Sequence, residues 1–327
     1  MPHDTPETTS AAPRRRRSRY LFLVGLAFFA FLVWHFGWRD LLATLAGARI
    51  LPLLWMTGLI FAGFWIRAWK WRYALGPRNN AVGVFFLAKM GGNWTPGRVG
   101  ELAPLLMRRH RNVQVTAWIF ADRVIEVALT LLLGLAGVAA LRLLPMPAVI
   151  ALAALGIAGA AAFALLVWFA GRLSERRPGA AQGARRRRLV ALLLRLRGEL
   201  RLLGAKTPVI VAVTLVAKAT DLYAVVMLCT AFGYDVSFLL ACAARCAHAL
   251  VAAAPVTPDA TGVPFAAAAW VFHEYAAMPY ETLTAAFALE VAVINIALAL
   301  SFLAATPALR ERTGATDDEE AGTANGA

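Results

Sequence analysis

The sequence predicts an all-α polytopic membrane protein, with about six full spans plus two re-entrant helical hairpins in an inverted repeat. Three observations carry that expectation. The apolar share is 60% and the mean hydropathy +0.63, well above the roughly 45–50% apolar usage of soluble domains. Several runs reach or approach the ~20 apolar residues that cross a bilayer core. Two more apolar runs are interrupted by Gly and Pro at corresponding places in the two halves of the chain, around residues 95–100 and 257–262.

The net charge of +14 reads first as topology. Residues 1–19 form a basic tail, and the loop at 171–206 carries eleven Lys/Arg against two Glu within "GRLSERRPGAAQGARRRRLVALLLRLRGELRLLGAK". Such blocks stay on the cytoplasmic side, which puts both termini in the cytoplasm of a bacterial inner (plasma) membrane. The run after the tail is too long for the apolar core of a cleaved leader, so a retained anchor is expected. No nucleic-acid partner is expected, because no base-stacking aromatics interleave Arg185 to Arg188. Residues 307–327 read as a disordered acidic tail.

The first membrane repeat occupies 20–143. Its opening span is 20–38. A second starts near Leu51 and ends in tryptophans interleaved with Arg67, Lys70 and Arg72, an interfacial anchor whose charges are expected to snorkel toward headgroups. The hairpin at about 81–107 is broken by Gly91, Gly92, Pro96, Gly97 and Gly100. A third span carries Asp122, Arg123 and Glu126 in its first turns.

The second repeat, 144–306, begins with a span at 147–170 and the basic loop, whose alternating leucines and arginines suit an interfacial helix. A span with Lys218 and Asp221 at i, i+3 follows, then a hairpin at about 237–275 broken by Pro258 and Gly262, and a last span to residue 305.

The duplication is legible in three matches. "TPGRVG" at Thr95 to Gly100 corresponds to "TPDATG" at Thr257 to Gly262, and "EVALTL" from Glu126 to "EVAVIN" from Glu290, at offsets of 162 and 164 residues. The spans preceding the hairpins also begin about 156 residues apart. Three crossings per unit is odd, so the second unit enters from the opposite side. Broken helices at membrane depth are tolerated only when protein or a wet cavity shields them. In inverted repeats such breaks mark the binding site of alternating-access transporters, although duplicated bundles also serve as scaffolds.

Charge inside the membrane needs a partner or a purpose. Arg98, at the tip of the first break, suits a phosphate oxygen or an ion pair with Glu101 or Asp259. Glu101 suits a counter-ion for Arg98 or a proton carrier. Asp122, Arg123 and Glu126 lie on adjacent turns, and snorkelling would account for Arg123. Lys218 and Asp221 read as an intrahelical pair or as a polar wall, with Arg245, His248, Asp259 and Glu290 completing a path in the second half. Cys229, Cys242 and Cys246 read as reduced, buried thiols. Cys242 and Cys246 with His248 lack a fourth ligand, so no metal and no cofactor is expected.

The segment "TPGRVGELAPLLMRRHRNVQVTAWIFADRVIEV" resembles the P-x-R-x-G-E signature of the flippase-like family named for the membrane domain of lysylphosphatidylglycerol synthases. Pro96, Arg98, Gly100 and Glu101 carry it. The likeness extends to "WKWRYAL" and covers roughly residues 20–305. It implies movement of lipids between leaflets; stand-alone members are associated with varied lipids, including lipid-linked sugars and hopanoids. Two positions differ from the family: Asp122-Arg123 stands where Glu-Arg is usual, and Asp259 replaces a glycine with no acid after Gly262. The aminoacyl-transferase domain does not follow, so a complete synthase is not expected.

The expected function is a lipid translocase. It would move a polar or anionic headgroup through a midplane cavity, without ATP hydrolysis because no nucleotide-binding loop occurs. No nucleophile or metal constellation points to an enzyme. A non-transporting accessory or scaffold subunit is the alternative, and an intramembrane headgroup transferase is a further one. The expected partners are membrane lipids, anionic or phosphate-bearing, with a second copy of the chain or a lipid-modifying enzyme as further candidates.

Overall fold

The computed structural model describes residues 38–76, 80–93, 95, 99–106, 113–145, 147, 204–252 and 263–305. The expected spans at 20–38 and 147–170, the basic loop and the two tails lie outside the described residues apart from their edges.

Among the described residues all regular structure is helical. Four α-helices are long and apolar enough to cross a membrane. They are α2 (Ile50–Leu75), α4 (Val113–Ala140), α5 (Thr207–Ala231) and α8 (Tyr280–Ala305), matching the expected second, third, fifth and sixth spans. Shorter helices are α1 (Trp38–Ala46), α3 (Ala81–Asn93), α6 (Phe238–Ala252) and α7 (Val263–Ala276). A 3-10 helix, Val99–Leu106, follows α3.

Local chemistry sets the helix ends. Gly76 closes α2 at φ 75°, with its N–H donating to the Arg72 carbonyl, a conformation that costs glycine little. Pro208 sits at the start of α5, where its missing N–H has no helical partner to lose.

Two buried clusters hold the helices together. Met56, Leu228, Phe272, Leu283 and Phe287 join α2, α5, α7 and α8. Trp71, Phe85, Phe86, Trp118 and Leu298 join α2, α3, α4 and α8.

The packing repeats the sequence duplication. With α2, α3 and α4 set equivalent to α5, α6 and α8, the helix contacts exchange: α4 lies on α6 as α8 lies on α3, and α2 flanks α3 as α5 flanks α6. Helices α2 and α5 pack on each other. At their crossing, a β-carbon on Gly63 would meet the hydroxyl oxygen of Thr220, 2.8 Å away, the residue 157 positions further on. A near-twofold relation between the halves would bring neighbouring positions of α2 and α5 together in this way.

Glycine governs the closest approaches. Gly134 of α4 lies against the side chain of Cys246, and Gly137 against the backbone of Leu239, so that a β-carbon on either would overlap α6. Small residues let membrane helices approach this closely.

The first hairpin differs from expectation at its glycines. Gly91 and Gly92 do not break the helix; α3 runs through both to Asn93. Helices tolerate glycine at roughly 1 kcal/mol, and the bare face gained here receives the returning segment. Gly91 abuts the backbone of Gly100, and Gly92 abuts the side chain of Glu101. Thr95 fastens the turn: its hydroxyl donates to the Gly91 carbonyl at 2.9 Å and accepts from the Gly100 N–H at 2.6 Å. The returning arm is a 3-10 helix containing Pro104, whose ring and missing N–H interrupt a regular α-ladder.

Candidate functional site

A cavity of about 430 Å³ lies between the two halves of the molecule, with walls from α2 to α8 and from the 3-10 helix. Its apolar lining includes Ile60, Phe64, Leu133, Val291 and Ile294. Set into that lining are Arg67, Lys89, Arg123, Lys218 and Arg245, together with Glu101, Glu126, Asp221 and Glu290.

The helical period of α2 explains why Arg67 of the cavity and Lys70 behind it both face inward. Gly63, Arg67, Lys70, Trp71 and Ala74 fall on one buried stripe, while Trp65, Trp69 and Tyr73 face outward, as i, i+4, i+7 spacing requires. Arg67 is 6% exposed and Lys70 0%. The expectation that they snorkel is therefore corrected: both point into the protein, and only Arg72 of that trio is exposed.

Arg67 ties three helices together. Its Nη1 donates to Asp221 Oδ1 at 3.1 Å, its Nη2 to Asp221 Oδ2, and its Nε lies 3.4 Å from Glu126 Oε1. Asp221 thus bonds across to α2 and, with Lys218, lines the cavity, as the polar-wall reading of these two residues has it. Lys70 pairs with Asp122, reaches the Thr214 hydroxyl at 3.2 Å and lies 3.8 Å from Glu126. Trp71 Nε1 donates to Asp122 Oδ2 at 2.8 Å. Asp122 therefore sits behind the cavity wall, bound to α2.

Glu126 is the hub. Lys89 Nζ lies 3.4 Å from its Oε2 and 3.6 Å from Glu101 Oε1. Arg123 Nη2 donates to Glu101 Oε1 at 2.5 Å, and its Nη1 is 3.5 Å from Glu126 Oε2. Arg123 is thus engaged in the network, and of its two readings, snorkelling or the site, its contacts favour the second. In the second half Arg245 Nη2 donates to Glu290 Oε1. Lys89 and Arg245 are 156 residues apart, and Glu126 and Glu290 are 164 apart. Each repeat thus places a cation from the first arm of its hairpin on the glutamate of its next long helix.

Of the sequence-derived candidates, the structure brings Glu101, Arg123, Glu126, Lys218, Asp221 and Arg245 to one cavity. His248 joins them on the wall. Arg98, Asp259, Pro96, Gly97, Pro258 and Gly262 lie outside the described residues. The three cysteines are free and buried, and among the described residues no group of His, Cys, Asp or Glu gathers to hold a metal ion. Sequence reasoning passes over Lys89. The signal was its isolated charge within "VFFLAKMGGN", which costs about 2.5–3.5 kcal/mol at the centre of a span on insertion scales.

The sequence model of the lysylphosphatidylglycerol synthase TM region matches residues 21–310. The chain belongs to this family. The matched range takes in every described helix and both repeats, so the family resemblance carried by Pro96, Arg98, Gly100 and Glu101 extends over the whole membrane part. Among curated proteins none matches the chain. Membership in the lysylphosphatidylglycerol synthase TM family, with four apolar helices of spanning length, makes this a membrane protein of a lipid-related family.

Proposed function

We propose that this protein moves a polar or anionic lipid headgroup between leaflets. The headgroup crosses through the charged cavity while its acyl chains stay in the bilayer. The observation that carries the reading is a single cavity lined by charged groups from both repeats, the arrangement expected where two halves alternate access to one site. In this reading the hairpins are re-entrant and open to opposite faces, and both termini lie in the cytoplasm of a bacterial plasma membrane. Transport needs neither ATP hydrolysis nor covalent chemistry. Arg98, at the first break, takes the headgroup phosphate, with Glu101, Asp122, Arg123, Glu126, Lys218, Asp221, Arg245 and Asp259 lining or supporting its path.

Leaflet exchange of a labelled anionic phospholipid in proteoliposomes tests this. Purified protein should raise exchange above that of empty vesicles, and Arg98→Ala should abolish the increase at unchanged protein yield. Arg98→Lys should also be poorly tolerated, because a point charge does not replace a planar fork. Exchange no faster than in empty vesicles would sink the reading, and full activity of Arg98→Ala would remove Arg98 from it.

A further inference from the structure

We infer that Arg245 is a seat for the oxyanion of a lipid headgroup, and that Glu290 plugs this seat until a headgroup arrives. The inference rests on the translocase reading for the identity of the ligand as a lipid, and on geometry for the seat itself.

The two repeats offer the same device in different states. In the first, Glu126 is held on all sides, with Arg67, Lys70, Lys89 and Arg123 between 3.4 and 3.8 Å away. A ligand would have to displace a carboxylate from four cations. In the second, Arg245 bonds only one oxygen of Glu290. The other, Oε2, is buried and has no hydrogen-bond partner among the described residues. A buried carboxylate oxygen left without a donor is costly. Glu126 Oε1 also lacks a hydrogen bond, but Arg67 and Lys70 lie 3.4 and 3.8 Å from it, whereas among the described residues Arg245 alone pairs with Glu290.

The arginine is under-used as well. Among the described residues Glu290 engages it through Nη2 alone, a one-pronged contact from a group whose fork suits two parallel bonds. Phosphate oxygens can take both prongs, so replacement of the carboxylate by a phosphodiester improves the geometry at equal charge. Access is also suitable. The Arg245 side chain is 20% exposed and lines the cavity, whereas that of Arg67 is 7% exposed and clamped by Asp221. The displaced carboxylate remains in a cavity that Lys218 also lines.

A pair that merely pins α6 to α8 would share the burial but would not compete with an anion. Binding measurements separate the two. The probe is dihexanoylphosphatidylglycerol below its micelle concentration, titrated into purified full-length protein, with uncharged dihexanoylglycerol as control. Glu290→Gln should tighten binding of the anionic probe about tenfold, the order expected when one charge-assisted competitor is removed, and leave the neutral control unchanged. Glu290→Asp, which keeps the charge but shortens its reach, should shift affinity in the same direction and covers the case in which the amide variant does not fold. Adding Arg245→Gln to Glu290→Gln should cancel the gain.

Unchanged or weaker anion binding by both Glu290 variants would overturn the inference, as would a gain that survives loss of Arg245. Leaflet exchange is a separate measurement: tightened binding without any exchange would remove the translocase reading while leaving the seat in place.

Discussion

Lys70 shows how much a single position depends on its neighbours. Its side chain is fully buried, yet it meets Asp122, Glu126 and the Thr214 hydroxyl. Removing one partner of a buried pair strands the other charge, which typically costs about 3–5 kcal/mol, whereas replacing both with apolar groups is often neutral. Lys70→Met should therefore lower the thermal unfolding midpoint in detergent markedly, and Lys70→Met combined with Asp122→Leu should recover most of the loss. A single variant as stable as the native chain would show that the pair contributes little. Arg67 follows the same logic across the repeats, because its bonds to Asp221 and its approach to Glu126 join α2, α4 and α5.

At the scale of elements, glycine decides how closely helices approach. In the first hairpin Gly91 and Gly100 meet backbone to backbone, and a backbone cannot yield as a flexible side chain can. Gly91→Ala should destabilise by about 1–3 kcal/mol, the usual cost of overpacking, read as a lowered unfolding midpoint. Gly58 of α2 is the internal control, since a β-carbon there meets nothing within 4 Å. Gly58→Ala should be neutral or stabilising by up to about 1 kcal/mol, through helix propensity alone. Equal effects at the two sites would mean that the hairpin contact is loose.

For the molecule as a whole, the exchange of helix contacts between halves defines a pseudo-twofold arrangement, and its orientation in the bilayer can be measured. If the repeats are inverted, Thr95→Cys and Thr257→Cys should react with an impermeant thiol reagent from opposite faces. The native cysteines are buried, and inert thiols of that kind should stay silent. Labelling of both new cysteines from one face only would rule out hairpins opening to opposite sides. The reciprocal packing of α4 on α6 and of α8 on α3 would then need a different explanation.

Hydropathy and the paired T-P and E-V-A motifs determined the class, four of the spans and the duplication, because solvation by lipid and helical rise are properties of the chain read locally. The family, too, was legible from Pro96, Arg98, Gly100 and Glu101. Which charges meet was not. Arg67 and Asp221 are 154 residues apart, and α2 is apolar on its outer face as well as its inner one, with Trp65 and Trp69 outside. Periodicity alone could not tell which side turned inward. Only the packing of α2 against α4 and α5 fixed that rotation, and with it turned Arg67, Lys70 and Lys89 from isolated liabilities into a shared network. The physical reason is that a buried charge is stabilised by its partner, and the partner is chosen by tertiary structure.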